Sequence, residues 1–379
     1  MSDCINSKRM TDLLRELVQA NTENPPGNEY RAAKILVDFL DDHHISSEII
    51  GDSKRPNVLV HIGKGTSDKS LMIHGHLDTV PIGNIDLWHY DPFEAKIING
   101  RMYGRGTADM KGAIAAIAET AVCLSKDEIN GDFIFVATSD EEAGSSGAQT
   151  VVDSGKLGKI DVAICAEPTD LNIGIAEKGM LWFKVKTFGK SAHGSQPELG
   201  INAIELMTQL MLKIKEIVPI QHHSILKSTT LNFGIISGGT KINIVPDYCE
   251  LHIDMRLIPG QMPYEILNML RTRLSEYFDG STFELSEIIS RPPVEIDLNH
   301  WIISELIAET NRITGKKPNI FGAPYGTDAS IFEPQLKIPH VIFGPGRIEQ
   351  AHQPNEYVEL ESVIKAAKIY YGLAKRILK

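Results

Sequence analysis

The sequence predicts a layered α/β protein with a central mixed sheet, interrupted by a ferredoxin-like α+β insert. Three observations carry that prediction. Before about residue 180 and again after 290, short runs rich in valine and isoleucine alternate with helical stretches, as in a sheet buried between helices. Between them the elements fall in the order β-α-β-β-α-β, the ferredoxin-like order. At 379 residues the chain is also too long for one ordinary core. The expected division is a discontinuous first domain, residues 1–179 and 291–379, around an insert at 180–290.

In chain order, residues 10–20 and 28–44 carry apolar positions at helical spacing, with Ala33, Leu36, Val37 and Leu40 on one face of the second. The NTENPPGN between them is a loop by its prolines and glycine. Asn57–Ile62, Leu71–Ile73, Phe133–Ala137 and Val162–Cys165 are too short for helices and read as buried strands; Ala113–Leu124 reads as a helix. In the insert, Leu181–Thr187, Thr229–Ile236, Cys249–Leu257 and Thr282–Ile289 read as strands. Residues 200–218 and 263–278 read as helices, the second opening on a proline. Along 249–257, Cys249, Leu251, Ile253, Met255 and Leu257 alternate with Glu250, His252, Asp254 and Arg256, so one face is covered and one is wet. Arg291-Pro292-Pro293 marks the return. Helices at about 300–313 and 360–377, with a strand at Val341–Phe343, complete the first domain.

A net charge of -11 argues against a nucleic-acid binder, which needs a basic face to displace counterions. No apolar run approaches the roughly 18 residues of a membrane span, and the polar start MSDCINSKRM lacks the apolar core of a signal peptide. The four cysteines (Cys4, Cys123, Cys165, Cys249) form no CxxC pair, which excludes a Cys4 zinc site and fits unpaired thiols in a cytoplasmic protein.

Polar residues cluster directly after the strands, where open α/β sheets place their sites. IHGHLD (73–78) runs a strand into His74, His76 and Asp78; a histidine with an acid two residues on is the pattern of a metal ligand and its orienting partner. YGRGTADMKG (103–112) brings Asp109 to a glycine-freed loop at a helix start. TSDEEAG (138–144) places Glu141 and Glu142 just past a strand, AEPTD places Glu167 past another, and GPGRIEQAHQPNEY (344–357) offers His352. Two histidines with several carboxylates suit zinc, cobalt or manganese, and a two-metal centre needs one ligand spanning ions about 3.5–4 Å apart. Asp109 is the expected bridge. Gly104 and Gly106 are expected to let the backbone turn sharply there.

These motifs (HGHLDTVP, GRGTADMKG, SDEEAG, AEPT and AHQPNEY) make the whole chain resemble the M20 family of zinc aminoacyl hydrolases, nearest its acetylornithine deacetylases and succinyl-diaminopimelate desuccinylases. The resemblance implies two zinc ions, one on His76, Asp109 and Glu167 and the other on Asp109, Glu142 and His352, with Asp78 orienting His76. It makes Glu141 the general base and implies a cis peptide after Asp109. It also implies a homodimer formed through the insert, whose His193 in GKSAHGSQP reaches the partner's active site and helps stabilise the oxyanion. Asn243 and Arg256 are implied to meet the polar groups and carboxylate of a small substrate, and Gly326 and Thr327 of YGTDAS to line its pocket. Lys178 stands where the desuccinylases carry an arginine.

The activity so implied is removal of an acyl group, acetyl first and succinyl second, from an N-acyl amino acid. A dipeptidase or carboxypeptidase would use the same centre. Nucleotide binding is disfavoured, because GRGTAD lacks the third glycine of GxGxxG and GKGTSDKS (63–70) lacks a phosphate-loop pattern. A binding protein that has lost catalysis is disfavoured by the intact Glu141 and ligand set.

Overall fold

The computed structural model describes residues 4–64 and 69–379; residues 65–68, inside the GKGTSDKS segment, lie outside the described residues. The chain forms two compact units, one of Met1–Ile175, Glu295–Phe321 and Thr327–Lys379, the other of Ala176–Val294 and Gly322–Gly326. Gly326, placed by the sequence reading in the first domain, thus belongs to the smaller unit.

The chain begins with α1 (Ser7–Gln19) and α2 (Tyr30–Asp42), then β1 (Ser47–Ile50), β2 (Asn57–Gly63), β3 (Ser70–His76), α3 (Gly112–Leu124), β4 (Asp132–Thr138), α4 (Ser146–Asp153), β5 (Val162–Cys165) and β6 (Ile173–Glu177). The smaller unit runs β7 (Gly179–Phe188), α5 (Ala203–Ile217), β8 (Thr230–Gly238), β9 (Tyr248–Leu257), α6 (Pro263–Ser275) and β10 (Phe283–Arg291). Then α7 (Trp301–Thr314), α8 (Ala329–Leu336), β11 (His340–Ile342) and α9 (Leu360–Ile377) return to the larger unit.

Among these strands the large, nine-stranded sheet has the order β1-β2-β4-β3-β5-β11-β6, and two short strands, Val294–Glu295 and Ile320–Ala323, pair with β6 as well. Strands β4, β3, β5 and β11 are parallel, while β1, β2 and β6 pair antiparallel, so the sheet is mixed. On one face Leu59, Met72, Ile134 and Val136 pack with Ala148 and Val151 of α4 and Phe332 of α8. Alternate residues of the same strands turn to the other face, where α3 lies on β3 and β4 with α1 and α9 beside it. All of α3 (GAIAAIAETAVCL) is buried, and its many small side chains permit close approach from every side. Its one acid, Glu119, is bound by Nε and Nη2 of Arg9 at 2.7 and 2.6 Å and by the Asn6 amide at 2.6 Å, so the buried charge is paired.

In the smaller unit the sheet order is β8-β9-β7-β10, antiparallel throughout. Leu181, Phe183 and Val185 of β7 pack with Leu251, Ile253 and Met255 of β9 and with Met207, Leu210 and Leu270 of α5 and α6. The wet face read from the alternation along β9 is where Glu250 bonds His252 at 2.7 Å.

Two helices and one covalent bond escaped the sequence reading. α4 is short and begins among serines and glycines, and α8 contains Pro334, so neither shows a clean helical period. Cys4 and Cys123 are not unpaired thiols: they form a disulfide with Cα atoms 5.6 Å apart across a sequence separation of 119. The pairing of Asn6 and Arg9 with Glu119 brings the N-terminal segment onto α3, a neighbourhood that spacing along the chain conceals. Cys165 and Cys249 are buried and take no part in that disulfide.

Gly147 near the start of α4 shows how tightly the end of β4 is packed. A Cβ there would lie 2.1 Å from the Ser139 carbonyl oxygen, 2.7 Å from its amide nitrogen and 2.5 Å from Asn57 Oδ1. Backbone cannot yield as a flexible side chain does. Gly147→Ala is expected to destabilise the protein by about 1–3 kcal/mol, read as a lower thermal midpoint; an unchanged midpoint would show that α4 can move off the strand.

Candidate metal centre

Register sets the stage. His76 at the end of β3 pairs with Thr138 at the end of β4, His74 pairs with Cys165 at the end of β5, and Ile342 of β11 pairs with Cys165 in turn. Four parallel strands therefore stop at one edge, and the segments that follow carry Asp78, Glu141, Glu142, Glu167 and His352. This is the carboxyl edge at which open α/β sheets hold ligands.

The side chains converge there in two groups. His76, Asp109 and Glu167 place one donor atom each within 4.8 Å of one another, and so do Asp109, Glu142 and His352. His76 Nε2 lies 3.2 Å from Asp109 Oδ1 and 3.8 Å from Glu167 Oε1. His352 Nε2 lies 3.3 Å from Asp109 Oδ2 and 3.2 Å from Glu142 Oε1. The two oxygens of Asp109 thus face different histidines, the arrangement a shared ligand requires. Imidazole and carboxylate donors without thiolate fit zinc, cobalt or manganese. The groups differ in exposure: the His76 side chain is 1% exposed and that of His352 52%.

Asp78 serves His76 mainly through its main chain. His76 Nδ1 is 2.9 Å from the Asp78 carbonyl oxygen but 3.5 Å from its carboxylate. An Nδ1–H donating to that carbonyl leaves the Nε2 lone pair for a metal. The Asp78 carboxylate is engaged elsewhere, accepting from the amides of Glu141 and Glu142 at 3.1 Å each and from Asn24 Nδ2 at 2.9 Å. It therefore holds the turn that carries both glutamates.

Asp109 is held by a residue that the sequence reading passed over. Glu356 is fully buried and its carboxylate accepts from the amides of Gly106 (3.0 Å), Ala108 (2.8 Å) and Asp109 (3.1 Å) and from Arg105 Nη1 (2.7 Å). The loop can wrap one carboxylate because Gly106 has φ +84, and a Cβ there would meet Thr79 Cγ2 at 2.6 Å. The peptide between Asp109 and Met110 is cis. Lys111, buried beneath the loop, donates to the Leu17 carbonyl at 2.8 Å, and burial lowers its pKa to about 7. The only sequence signal for Glu356 was its place in AHQPNEY beside His352.

The electrostatics call for positive charge. Burial pushes the Glu167 carboxyl well up, with the charge of Asp109 adding to it, and burial likewise raises Glu142. The charge of Glu141 adds to the rise at Glu167, so the two acids sense one another. Hydrogen bonds to Asp109 and Glu142 raise His352 to about 10. Burial works against charge on His76, yet bonds to Asp109 and Asp78 hold it well above its usual value. Negative charge in excess of its partners, with nitrogen donors aimed inward, fits a divalent cation pair.

Of the remaining residues singled out from sequence, Thr327 belongs to the larger unit and the others to the smaller. Thr327 is buried at the start of α8, where its hydroxyl accepts from the Ala329 amide at 3.1 Å. His193, Asn243, Arg256, Lys178 and Gly326 belong to the smaller unit. There the structure joins the segments of His193 and Asn243, through a bridge of His193 to Ile244 and a 2.8 Å bond from the Gly194 amide to the Asn243 carbonyl. It also places Lys178 within the field of Arg256: burial lowers the lysine, and the charges of Arg256 and Lys227 lower it further. Arg256 Nε pairs with Asp254 at 2.9 Å, and a Cβ on Gly326 would approach the Lys178 carbonyl at 3.2 Å.

The model of peptidase family M20/M25/M40 matches residues 72–376. The chain is 30% identical to a probable succinyl-diaminopimelate desuccinylase of Staphylococcus aureus (strain N315), across 99% of this chain and 98% of that one. It is 33% identical to an acetylornithine deacetylase of Pasteurella multocida (strain Pm70), across 87% and 86% of the two chains. Among solved structures, its fold resembles an M20 family metallo-carboxypeptidase of Sulfolobus solfataricus, with a TM-score of 0.82, 21% identity and coverage of 97% and 98%.

Protons and metal compete for these donors, since a ligand imidazole must be neutral. With His76 and His352 both raised by their acids, metal loading is expected to release protons and to strengthen as pH rises. Calorimetric titration at about pH 6 and about pH 8, in buffers of different ionisation heat, checks this. Proton release and weaker binding at the lower pH are expected; heats independent of buffer and affinity independent of pH would contradict the assignment.

Proposed function

The chain belongs to peptidase family M20/M25/M40, and on that premise we propose that it is a di-metal deacylase that removes an acyl group, acetyl or succinyl, from an N-acyl amino acid. It is a hydrolase acting on amide bonds. The observation that carries the two-metal reading is the division of Asp109, one oxygen toward His76 and the other toward His352.

His76, Asp109 and Glu167 would hold one ion and Asp109, Glu142 and His352 the other, zinc being our first choice. Ions there supply Lewis acidity, polarising the amide carbonyl and making water easier to deprotonate at neutral pH. Glu141 then acts as general base, taking a proton from the attacking water and delivering it to the departing amine nitrogen. Its partial exposure and the anchoring of its amide on Asp78 support that role. The carboxylate left on the acyl fragment and the free amine balance the added water.

For the substrate, we propose that Arg256 and Lys178 recognise a carboxylate. Arginine suits this by its planar fork, lysine as a point charge. Asn243, Gly326 and Thr327 would contact the rest of the substrate. His193 would donate to the developing oxyanion from the smaller unit of a second copy; its Nδ1 bonds Ser195 Oγ at 2.7 Å, which leaves Nε2 for that purpose. Homodimerisation is part of this proposal. It is supported by β8, an edge strand with Ile235 and Ile236 exposed at 63% and 54%. No helix among the described residues is long and apolar enough to cross a membrane. A cytoplasmic setting belongs to the same proposal.

A dipeptidase or carboxypeptidase is the second reading, since the same centre cleaves peptide bonds and the fold is shared with a carboxypeptidase. The test is a panel of N-acetylornithine, N-succinyl-diaminopimelate and simple dipeptides, run on wild type and Glu141→Ala with metal content counted. Hydrolysis of an N-acyl amino acid is expected, with Glu141→Ala retaining metal and losing at least about 10²-fold in kcat. Dipeptides preferred by orders of magnitude in kcat/KM would replace the deacylase reading, and wild-type turnover in Glu141→Ala would remove the base.

A further inference from the structure

The turn that carries Glu141 and Glu142 is built on an unusual residue. Asp140 has φ +67, in the left-handed region that few side chains tolerate. Its carbonyl accepts from the amides of Gly144 at 3.0 Å and Ser145 at 2.5 Å, closing a tight turn. Such a conformation persists only where the surroundings determine it. Here they do so from two sides. The Asp140 carboxylate is bound at Oδ1 by Arg55 Nη1 and by Asn24 Nδ2 (2.9 Å), and at Oδ2 by the Ser146 hydroxyl. The next two amides, of Glu141 and Glu142, are thereby delivered to the Asp78 carboxylate.

Asn24 joins the two halves. Its Nδ2 donates to Asp78 Oδ2 and to Asp140 Oδ1, 2.9 Å each, and its Oδ1 accepts from Arg55 Nη2 at 3.2 Å. Its own backbone is pinned beside the site: the Asn24 amide donates to the Thr79 carbonyl at 2.8 Å, the Thr79 amide to Thr22 at 3.0 Å, and the Thr22 hydroxyl to Leu77 at 2.6 Å. Asn24 is 3% exposed, Asp78 0% and Asp140 7%. Two carboxylates this close and this buried repel one another unless donors stand between them. The Asn24 amide stands between the two, and the Arg55 guanidinium pairs with Asp140 and with the Asn24 side-chain oxygen.

We propose that Asn24 and Arg55 are positioning residues for the reaction: Asn24 bridges the carboxylates of Asp78 and Asp140, Arg55 holds Asp140 and Asn24, and together they fix the 140–145 turn so that the proposed base Glu141 and the proposed ligand Glu142 meet the metal centre in one arrangement. This rests on the roles given above to those two glutamates. It assigns a function to the NTENPPGN loop, whose composition alone marked it as a connection. It also predicts selectivity. His76 is held by the Asp78 main-chain carbonyl, so loosening the Asp78 carboxylate disturbs the Glu142 side of the centre and spares the His76 side.

The experiment is stepwise metal titration of the apo full-length protein, with kcat and KM, for Asn24→Ala, Arg55→Ala and Arg55→Lys. Asn24→Ala is expected to bind the first ion with wild-type affinity and the second about 10–100-fold more weakly. Its kcat should fall by a similar factor or more at saturating metal, with KM within a few-fold. Arg55→Ala, on the half-exposed arm, should show the same pattern more mildly, and Arg55→Lys should recover most of it. Wild-type metal steps and kcat in Asn24→Ala would overturn the proposal. So would equal weakening of both ions with a lower apo thermal midpoint, the mark of a merely structural role. If Asn24→Ala does not fold, Arg55→Ala decides by the same readouts. Glu141→Ala separates the two claims: if it stays active the reading of the site fails, whereas if it is dead and Asn24→Ala behaves as wild type only the positioning claim fails.

Discussion

One buried carboxylate fixes the point to which every other proposed ligand must reach. Glu356 gathers the amides of Gly106, Ala108 and Asp109 around itself and is neutralised by Arg105. Three backbone donors and one guanidinium on a single acid leave the loop little freedom, because an unpaired buried amide costs about 1–3 kcal/mol. Arg105 is fixed in turn by the Gln353 and Pro81 carbonyls and by the Trp88 ring, 5.3 Å away. With its main chain set, Asp109 presents one oxygen to each histidine. Small residues follow at once in α3, which seats the loop against the sheet without a side chain in the way.

A division of labour appears in the surrounding groups. The His76 side is deep, held by the Asp78 main-chain carbonyl and by strand pairing through β3. The Glu142 side depends on a turn rather than on a strand, and its histidine, half exposed, has φ +62 in a loop. Rigid elements fix one group, and a network of buried hydrogen bonds fixes the other. A hydrolase needs its base and its more accessible ligand near solvent to exchange substrate and water, and hydrogen-bonded turns can be placed there where strands cannot.

The sheet and most helices were legible because burial writes itself into periodicity: β2 to β5, α3 and the alternation along β9 follow from apolar spacing alone. The polar residues at the strand ends were legible for the same reason, since they follow apolar runs abruptly. What stayed hidden is what acts through the backbone or across distance. Glu356 bonds amides 247 to 250 residues away, and amides leave no residue code. Asn24 looked like loop filler because its partners lie 54 and 116 residues on. The disulfide of Cys4 and Cys123 and the proline-containing α8 were concealed by spacing and by local propensity respectively.

The central claim is that Asp109 belongs to both metal positions. It is tested most directly by counting tightly bound metal in Asp109→Ala and His352→Ala after equal loading and dialysis. Loss of both ions from Asp109→Ala, with one ion retained by His352→Ala, is the predicted result. One ion held at wild-type affinity by Asp109→Ala would contradict it.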